Sequence, residues 1–530
     1  MGARSVETGF EGHGFSPGVT SRYIETDRVD ERGPGEAPLL RFGGVLWSAR
    51  SKNRVKTPVV ESHIAVAPTP AHPKRVLGFR DLVLFYLVTT LSLRWIPVAA
   101  SSGPSSIAIW IVGLVTIFIP LALCVMELSS RYPQEGGMYL WTKRAFGDFP
   151  AFLTGWIYWT SNLPYFPAVL YFAASNALYM GGPRWSAFQR SPWYFIAFSF
   201  FGVALALALN IVGLNIGKWL SNLGALGVWI PVTLLCVVAI LAFAKFGSAT
   251  KFTPATMRPT LNVGTLGIWA TILYAFSGSE AASFMGDEIK HARRTIPRAL
   301  ITGGALITGG YILGTVAVLV ALPTEQVNSM EGIMQAITSA AARIGWNGLG
   351  PGVALLICLA NLGGVGAYLA ALARIPFVVG LDRYLPPAFG RVHSRWGTPA
   401  VALVTQALAC LAFILMGQAG STVRGAYQVL VTMTIITNFG PYLFMFAAMI
   451  CLQREAVEPG VITVPGGKPV AITLSVIAFI TTCAVIIASI VPDPSEPNKV
   501  LAVAKVVFFS VLLVGGGVVL YAIGRRRLRD

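Results

Sequence analysis

The chain has 530 residues, 12% of them charged and 55% apolar, and its 40 basic and 23 acidic side chains give a net charge of +17. A soluble domain carries about a quarter charged residues, and the apolar residues here run solidly instead of alternating as the lipid-facing strands of a barrel do. A soluble enzyme, a disordered chain and a β-barrel are therefore excluded, which leaves an all-α polytopic membrane protein.

Residues 1–76 are polar and rich in Gly, Pro and charge, with no apolar core of signal-peptide length. They read as a disordered cytoplasmic tail. Beyond it, crossing roughly 30 Å of hydrocarbon takes about 20 apolar residues per helix. Twelve segments qualify as spans 1 to 12: Leu82–Ser101, Ser106–Leu128, Phe149–Met180, Trp193–Leu214, Trp219–Phe246, Val263–Gly286, Ile296–Leu322, Gly352–Leu381, Pro399–Gly417, Tyr427–Leu452, Val470–Val491 and Val500–Ile523. The chain then divides into residues 77–246 with spans 1 to 5, 247–452 with spans 6 to 10, 453–523 with spans 11 and 12, and a basic terminus at 524–530.

Lys and Arg in excess mark cytoplasmic loops. With both termini inside, 29 of the 40 basic residues fall on the inner side and 8 on the outer side, and without the tail the contrast is still 17 to 8. Both termini are expected in the cytoplasm of a multi-pass protein of the cell membrane. The same distribution argues against nucleic acid as a partner, because the basic residues sit between apolar runs and do not cluster with aromatics on one face. After span 7, Met330, Ile333, Met334, Ile337, Ala341 and Ile344 recur at helical spacing, the pattern of a short amphipathic helix on the membrane surface or over an outer vestibule. The segment Gly136–Gly147 likewise looks interfacial, with aromatics beside Lys143 and Arg144.

Two spans depart from a plain membrane helix. Span 1 reads LVTTLSLRWIPVAASSGP, with Thr89, Thr90, Ser92, Arg94 and Pro97 near its middle. Span 6 reads LYAFSGSEAASFMGDEIK, with Ser277, Gly278 and Ser279 directly before Glu280. Such residues weaken a helix and free backbone N–H and C=O groups, which survive at membrane depth only beside protein or a water-filled cavity. Interrupted helices at corresponding places in two halves point to a transport site, and spans 1 and 6 each open a set of five. Among the acidic residues Glu280 is the one deep in an apolar run, while Arg94 and Arg374 are the deep basic ones. A charge at the bilayer centre costs about 2.5–3.5 kcal/mol on insertion scales, so it faces a cavity or a partner. For Arg374 the expectation is a tie between helices near the inner end of span 8. The five histidines (His13, His63, His72, His291, His393) lie outside the spans, and the six cysteines show no CxxC or Cys/His spacing. No cofactor, metal centre or disulfide framework is implied.

Three motifs carry a resemblance. ELSSRYPQEGGMYLWTKRAFGDFPAFLTGW (Glu127–Trp156), AFSGSEAASFMGDEIKHARRTIPRAL (Ala275–Leu300) and LDRYLPPAFGRVHSRWGTP (Leu381–Pro399) stand in this order along the chain. Here the chain resembles the amino acid–polyamine–organocation superfamily of transporters, in particular bacterial amino acid permeases. The resemblance implies a LeuT-like five-plus-five inverted repeat with spans 1 and 6 broken and the substrate between the breaks. It implies that Thr90, Leu91 and Ser92 meet the substrate carboxylate, and that Phe276, Ser277, Gly278 and Ser279 meet its ammonium. An aromatic lid falls on Tyr274 or Phe276. The polarity of half-helix ends suits a zwitterion. The break in span 1 departs from the family in having no glycine and in adding Arg94, and span 8 lacks the Ser/Thr pair that holds sodium in sodium-coupled relatives. The expected function is a secondary transporter of amino acids or related amines with no covalent chemistry, with a polyamine transporter or a non-transporting nutrient sensor as alternatives. The expected partners are the small-molecule substrate, membrane lipid and protons, with Glu280 as the candidate proton carrier and Arg94 as a substrate ligand.

Overall fold

The long apolar runs become helices, and the interest lies in where they stop. The computed structural model describes residues 76–528 apart from 135, 213, 261, 377–383, 419–421 and 492–498. The expected tail, save its last residue, lies outside the described residues, as do the last two residues of the basic terminus.

Span 1 is two helices, α1 (Phe79–Thr90) and α2 (Trp95–Ala100). Next come α3 (Ser105–Arg131), α4 (Met138–Phe146), α5 (Asp148–Gly181), α6 (Pro192–Val212) and α7 (Leu214–Phe246). Span 6 is α8 (Val263–Tyr274) followed by a turn and a 3-10 segment over Ala281–Glu288. The rest is α9 (Ala292–Ala321), α10 (Gly332–Arg343), α11 (Leu349–Leu372), α12 (Ala400–Gln418), α13 (Val423–Leu452), α14 (Gly467–Ser489) and α15 (Lys499–Arg527). The β-structure among the described residues is a single parallel bridge, Leu77 to Ile289.

Nine of the described helices are long and apolar enough to cross a membrane, against the twelve spans expected. The physical reason for the difference is the same in two of the three cases. Spans 1 and 6 are cut into pieces of 12 residues or fewer. The third, α5, is 34 residues long but carries Thr154, Thr160, Ser161, Asn162, Ser175 and Asn176 among its buried residues.

Burial sorts the helices into inner and outer. Every residue from Ile157 to Leu178 on α5 is buried, as expected of a helix enclosed on all sides. On α15 burial is confined to Val506, Gly517 and Gly524. Helix α11 packs along α7, and α13 lies against α5 and α14. The α7–α11 contact needs glycine, since a Cβ on Gly227 would stand 2.5 Å from the Leu356 carbonyl oxygen. In α10 the apolar residues Ile333, Met334, Ile337 and Ala341 are all buried. Its first residue, Gly332, abuts Pro97 of α2 closely enough that a Cβ would lie 2.7 Å from that ring.

Candidate functional site

The interruption after α1 has a local cause. Thr89 turns its hydroxyl back to the Phe85 carbonyl at 2.9 Å, the competition with backbone bonding that Ser and Thr bring to helices. Leu91 is extended, at φ −75° and ψ 90°. Helix resumes at Trp95, and Pro97 then falls in the first turn of α2, where N–H groups have no intrahelical acceptor in any case. The interruption after α8 rests on Gly278, whose φ of +110° favours glycine. A Cβ there would come within 2.3 Å of the Tyr368 hydroxyl and 2.8 Å of the Thr89 carbonyl oxygen. The two interruptions therefore touch.

One side chain from a third helix joins them. The Tyr311 hydroxyl on α9 accepts the Ser92 N–H at 3.1 Å, and it faces the carbonyls of Thr90 and of Ala275, the latter at 3.0 Å. Its ring stacks on Trp110 at 4.4 Å, and the Trp110 indole N–H donates to Thr315 at 3.0 Å. Of the candidate residues, Ser92 and Ser277 are half-buried, whereas Thr90, Leu91, Arg94, Tyr274, Phe276, Gly278, Ser279 and Glu280 are buried.

Glu280 receives the Tyr158 hydroxyl and the Gly278 N–H, the second at 3.0 Å, and Gly278 N–H also lies 3.2 Å from the Tyr442 hydroxyl. Arg94 has a different environment. Its guanidinium carbon lies 3.9 Å from the Trp95 ring centre and 4.7 Å from that of Tyr165. It is 1% exposed, yet its Nε and Nη1 have no hydrogen-bond partner among the described residues. Tyr158 and Tyr165 stand seven residues apart on α5, about 10 Å along its axis, so Glu280 and Arg94 are served by different turns of one helix. Thr90 Oγ1, Ser279 Oγ and the Tyr427 hydroxyl are also buried without partners.

The two aromatic candidates part company. Phe276 is enclosed by Trp110, Phe118 and Tyr311, with ring centres 5.4–5.8 Å away. A π-turn at Leu114–Phe118 and the bare Gly113, where a Cβ would meet Phe276 at 2.9 Å, allow that approach. Tyr274 lies between Trp95 and Phe439, at 5.8 and 5.3 Å, beside Arg94. Trp95 is also one wall of a cavity of about 390 Å³, shared with Thr271, Arg424 and Tyr427.

Sequence reasoning singled out Glu280 as the deep carboxylate, but Glu127, Glu288 and Glu331 are buried as well. They stand at helix ends and in loops, where apolar runs give no warning that neighbouring segments will cover them. Each has a local partner, although Oε2 of Glu288 has none among the described residues. Glu127 pairs with Arg131 at 2.6 Å and accepts the Val464 N–H at 2.7 Å. Glu331 takes the Ser175 hydroxyl at 3.0 Å and the Gln189 amide. Glu288 is bound by Arg374 at 2.8 and 2.9 Å, so Arg374 does tie helices together. Among the described residues no group of three His, Cys, Asp or Glu side chains is placed to hold a metal.

These features define a multi-pass membrane protein with an enclosed polar junction where two interrupted helices meet. The chain belongs to the amino acid permease family, whose model matches residues 77–517. It is 30% identical over 458 residues to the "Uncharacterized transporter lpg1691" of Legionella pneumophila, covering 84% of this chain and 95% of that one. It is 24% identical over 365 residues to the serine/threonine exchanger SteT of Bacillus subtilis, covering 68% and 78%. To the probable agmatine/putrescine antiporter AguD of Lactococcus lactis it is 26% identical over 239 residues, 45% and 50% of the two chains. The family and its named relatives are transporters.

Proposed function

We propose that this protein is a secondary active transporter of amino acids that works by alternating access around the junction of its two interrupted helices. The reading includes a LeuT-like fold of twelve spans, in which α1 with α2, α8 with its 3-10 segment, and α5 join the nine long apolar helices. It takes residues 77–246 and 247–452 as inverted repeats, 453–523 as additions, and both termini as cytoplasmic in the cell membrane. Thr90, Leu91, Ser92, Ser277, Gly278 and Ser279 supply backbone and hydroxyl groups to the substrate, with Tyr274 and Phe276 as its aromatic walls. Arg94 receives a carboxylate and Glu280 carries the coupling proton.

One observation supports this reading above the others: a buried guanidinium with two open nitrogens stands beside backbone freed from helical bonding. Arg is always charged and its planar fork matches a carboxylate. The relative named for agmatine and putrescine keeps a polyamine substrate in view, but a polycation brought to an unpaired arginine meets like charge in a poorly screened site. Counterflow in proteoliposomes is the test. Labelled amino acid accumulating against the same amino acid inside is the expected result. Binding without exchange would make the protein a sensor, and preference for putrescine would overturn the substrate class.

A further inference from the structure

We infer that the substrate is anionic, an acidic amino acid whose second carboxylate pairs with Arg94. This rests on the amino acid reading above and narrows it. The described residues contain four buried carboxylates, Glu127, Glu280, Glu288 and Glu331. All four are engaged elsewhere: Glu127 with Arg131, Glu288 with Arg374, Glu331 with Ser175 and Gln189, and Glu280 with Tyr158 and the Gly278 N–H. Arg94 is thus a buried cation lying against the ring faces of Trp95 and Tyr165, with Nε and Nη1 open among the described residues. Rings attract a cation by their faces, but they accept no hydrogen bond from a guanidinium edge. A buried charge left without such partners is costly, and a ligand carboxylate is the acceptor whose charge and shape match the open edge.

A zwitterion does not balance the charge. Its carboxylate could reach Arg94, but its ammonium enters with it, so the ligand brings no net negative charge to the guanidinium. An acidic amino acid brings one more carboxylate, which makes the occupied site neutral around Arg94 and leaves the α-carboxylate and ammonium for the two interruptions. Tyr274, packed edge-to-face on Trp95, forms an aromatic wall at that end of the site.

L-Glutamate and L-glutamine differ in this one charge and hardly in shape, so they are the probes. Binding of each to the purified full-length protein is measured by scintillation proximity. Glutamate is expected to bind at least about 10-fold more tightly, the equivalent of one hydrogen bond to a charged group. In R94Q the ratio is expected to fall to within about 3-fold, whatever happens to either affinity. Equal binding of the two by the wild type overturns the inference and leaves the amino acid reading standing. A ratio that survives R94Q also overturns it, since the discrimination then lies elsewhere. If no amino acid binds to folded wild-type protein, the amino acid reading falls first and the inference with it. Should R94Q fail to fold, the wild-type ratio alone decides.

Discussion

Replacing Tyr311 by Phe removes one oxygen atom and leaves the ring stack on Trp110 in place. The hydroxyl accepts from Ser92 and has two carbonyls, Thr90 and Ala275, within reach of its single proton. Its loss strips a partner from one N–H and from at least one buried carbonyl. A buried group left unpaired costs about 1–3 kcal/mol. Ser92 is half-buried, so water can recover part of its share, whereas Thr90 and Ala275 are closed off. We therefore expect a loss of about 2 kcal/mol. Because the three groups belong to the two interruptions, the loss should appear as a disordered binding geometry, about a 30-fold rise in Kd. The assay is equilibrium binding of the preferred amino acid to the purified protein, with the thermal midpoint measured alongside. Tyr171→Phe is the control: it deletes a buried hydroxyl bonded to Gln418 at 3.2 Å, on a part of α5 away from both interruptions. Equal affinity in the two variants would refute the idea that Tyr311 holds the site together.

Other expectations follow from single groups. Glu280→Gln keeps an acceptor for the Gly278 N–H but cannot carry a proton, so exchange should persist while uptake loses its response to a pH gradient; wild-type uptake that requires sodium and ignores pH would contradict the assignment. Gly278→Ala should destabilise by about 2–4 kcal/mol, from an unfavourable φ and from overlap with Tyr368 and Thr89. Gly309→Ala, with open space around the new methyl, should instead be neutral or stabilising by up to about 1 kcal/mol, and thermal melts compare the two directly. Partial burial pushes the Glu455 carboxyl up, but the Tyr132 hydroxyl and the Arg144 guanidinium outweigh it and hold the group below the usual carboxylate range. That depression stabilises the fold above the ordinary carboxylate pKa and is lost as pH falls through the lower folded value. The pair is partly exposed, so Glu455→Gln should cost no more than about 0.5 kcal/mol at neutral pH, and less as pH falls through the lowered folded value.

How far the sequence reaches is set by the range of the interactions involved. The two interruptions were legible because their causes are local: Thr89 bonding back to Phe85, Pro97 placed where no N–H is needed, and Gly278 with Ser277 and Ser279 around it. Tyr311 was not legible. It lies 219 residues from Ser92, and in the sequence it is one tyrosine in an apolar run. Tyr158, Tyr165, Tyr368 and Tyr442 escaped for the same reason. A buried tyrosine needs a partner for its hydroxyl, and tyrosines deep within membrane-length runs were the available signal. Tyr274 and Phe276 were legible as a pair of aromatic candidates beside the interruption, but the rings each would meet were not: Phe276 packs among Trp110, Phe118 and Tyr311, whereas Tyr274 lies against Trp95 and Phe439 beside Arg94.

The two deep charges invite the assumption that they stabilise each other, and the geometry argues otherwise. Opposite unit charges attract by about 4 kcal/mol at about 4 Å and an effective dielectric of about 20. Among the described residues, however, no ion pair joins Arg94 and Glu280, whose partners Tyr165 and Tyr158 lie on different turns of α5. The desolvation of a single buried ion costs several kcal/mol. Mutual attraction is too weak to keep either in place, so each must be held by its immediate surroundings. For Glu280 the protein itself supplies those surroundings, with hydroxyl and N–H donors on its oxygens. For Arg94 they are incomplete: the ring faces of Trp95 and Tyr165 offset part of the cost, and two nitrogens, Nε and Nη1, stay open among the described residues. An asymmetry of this kind is costly to maintain in a resting protein and useful in a binding one, because the first ligand to supply the missing acceptor gains the whole of the interaction that the protein leaves unmade.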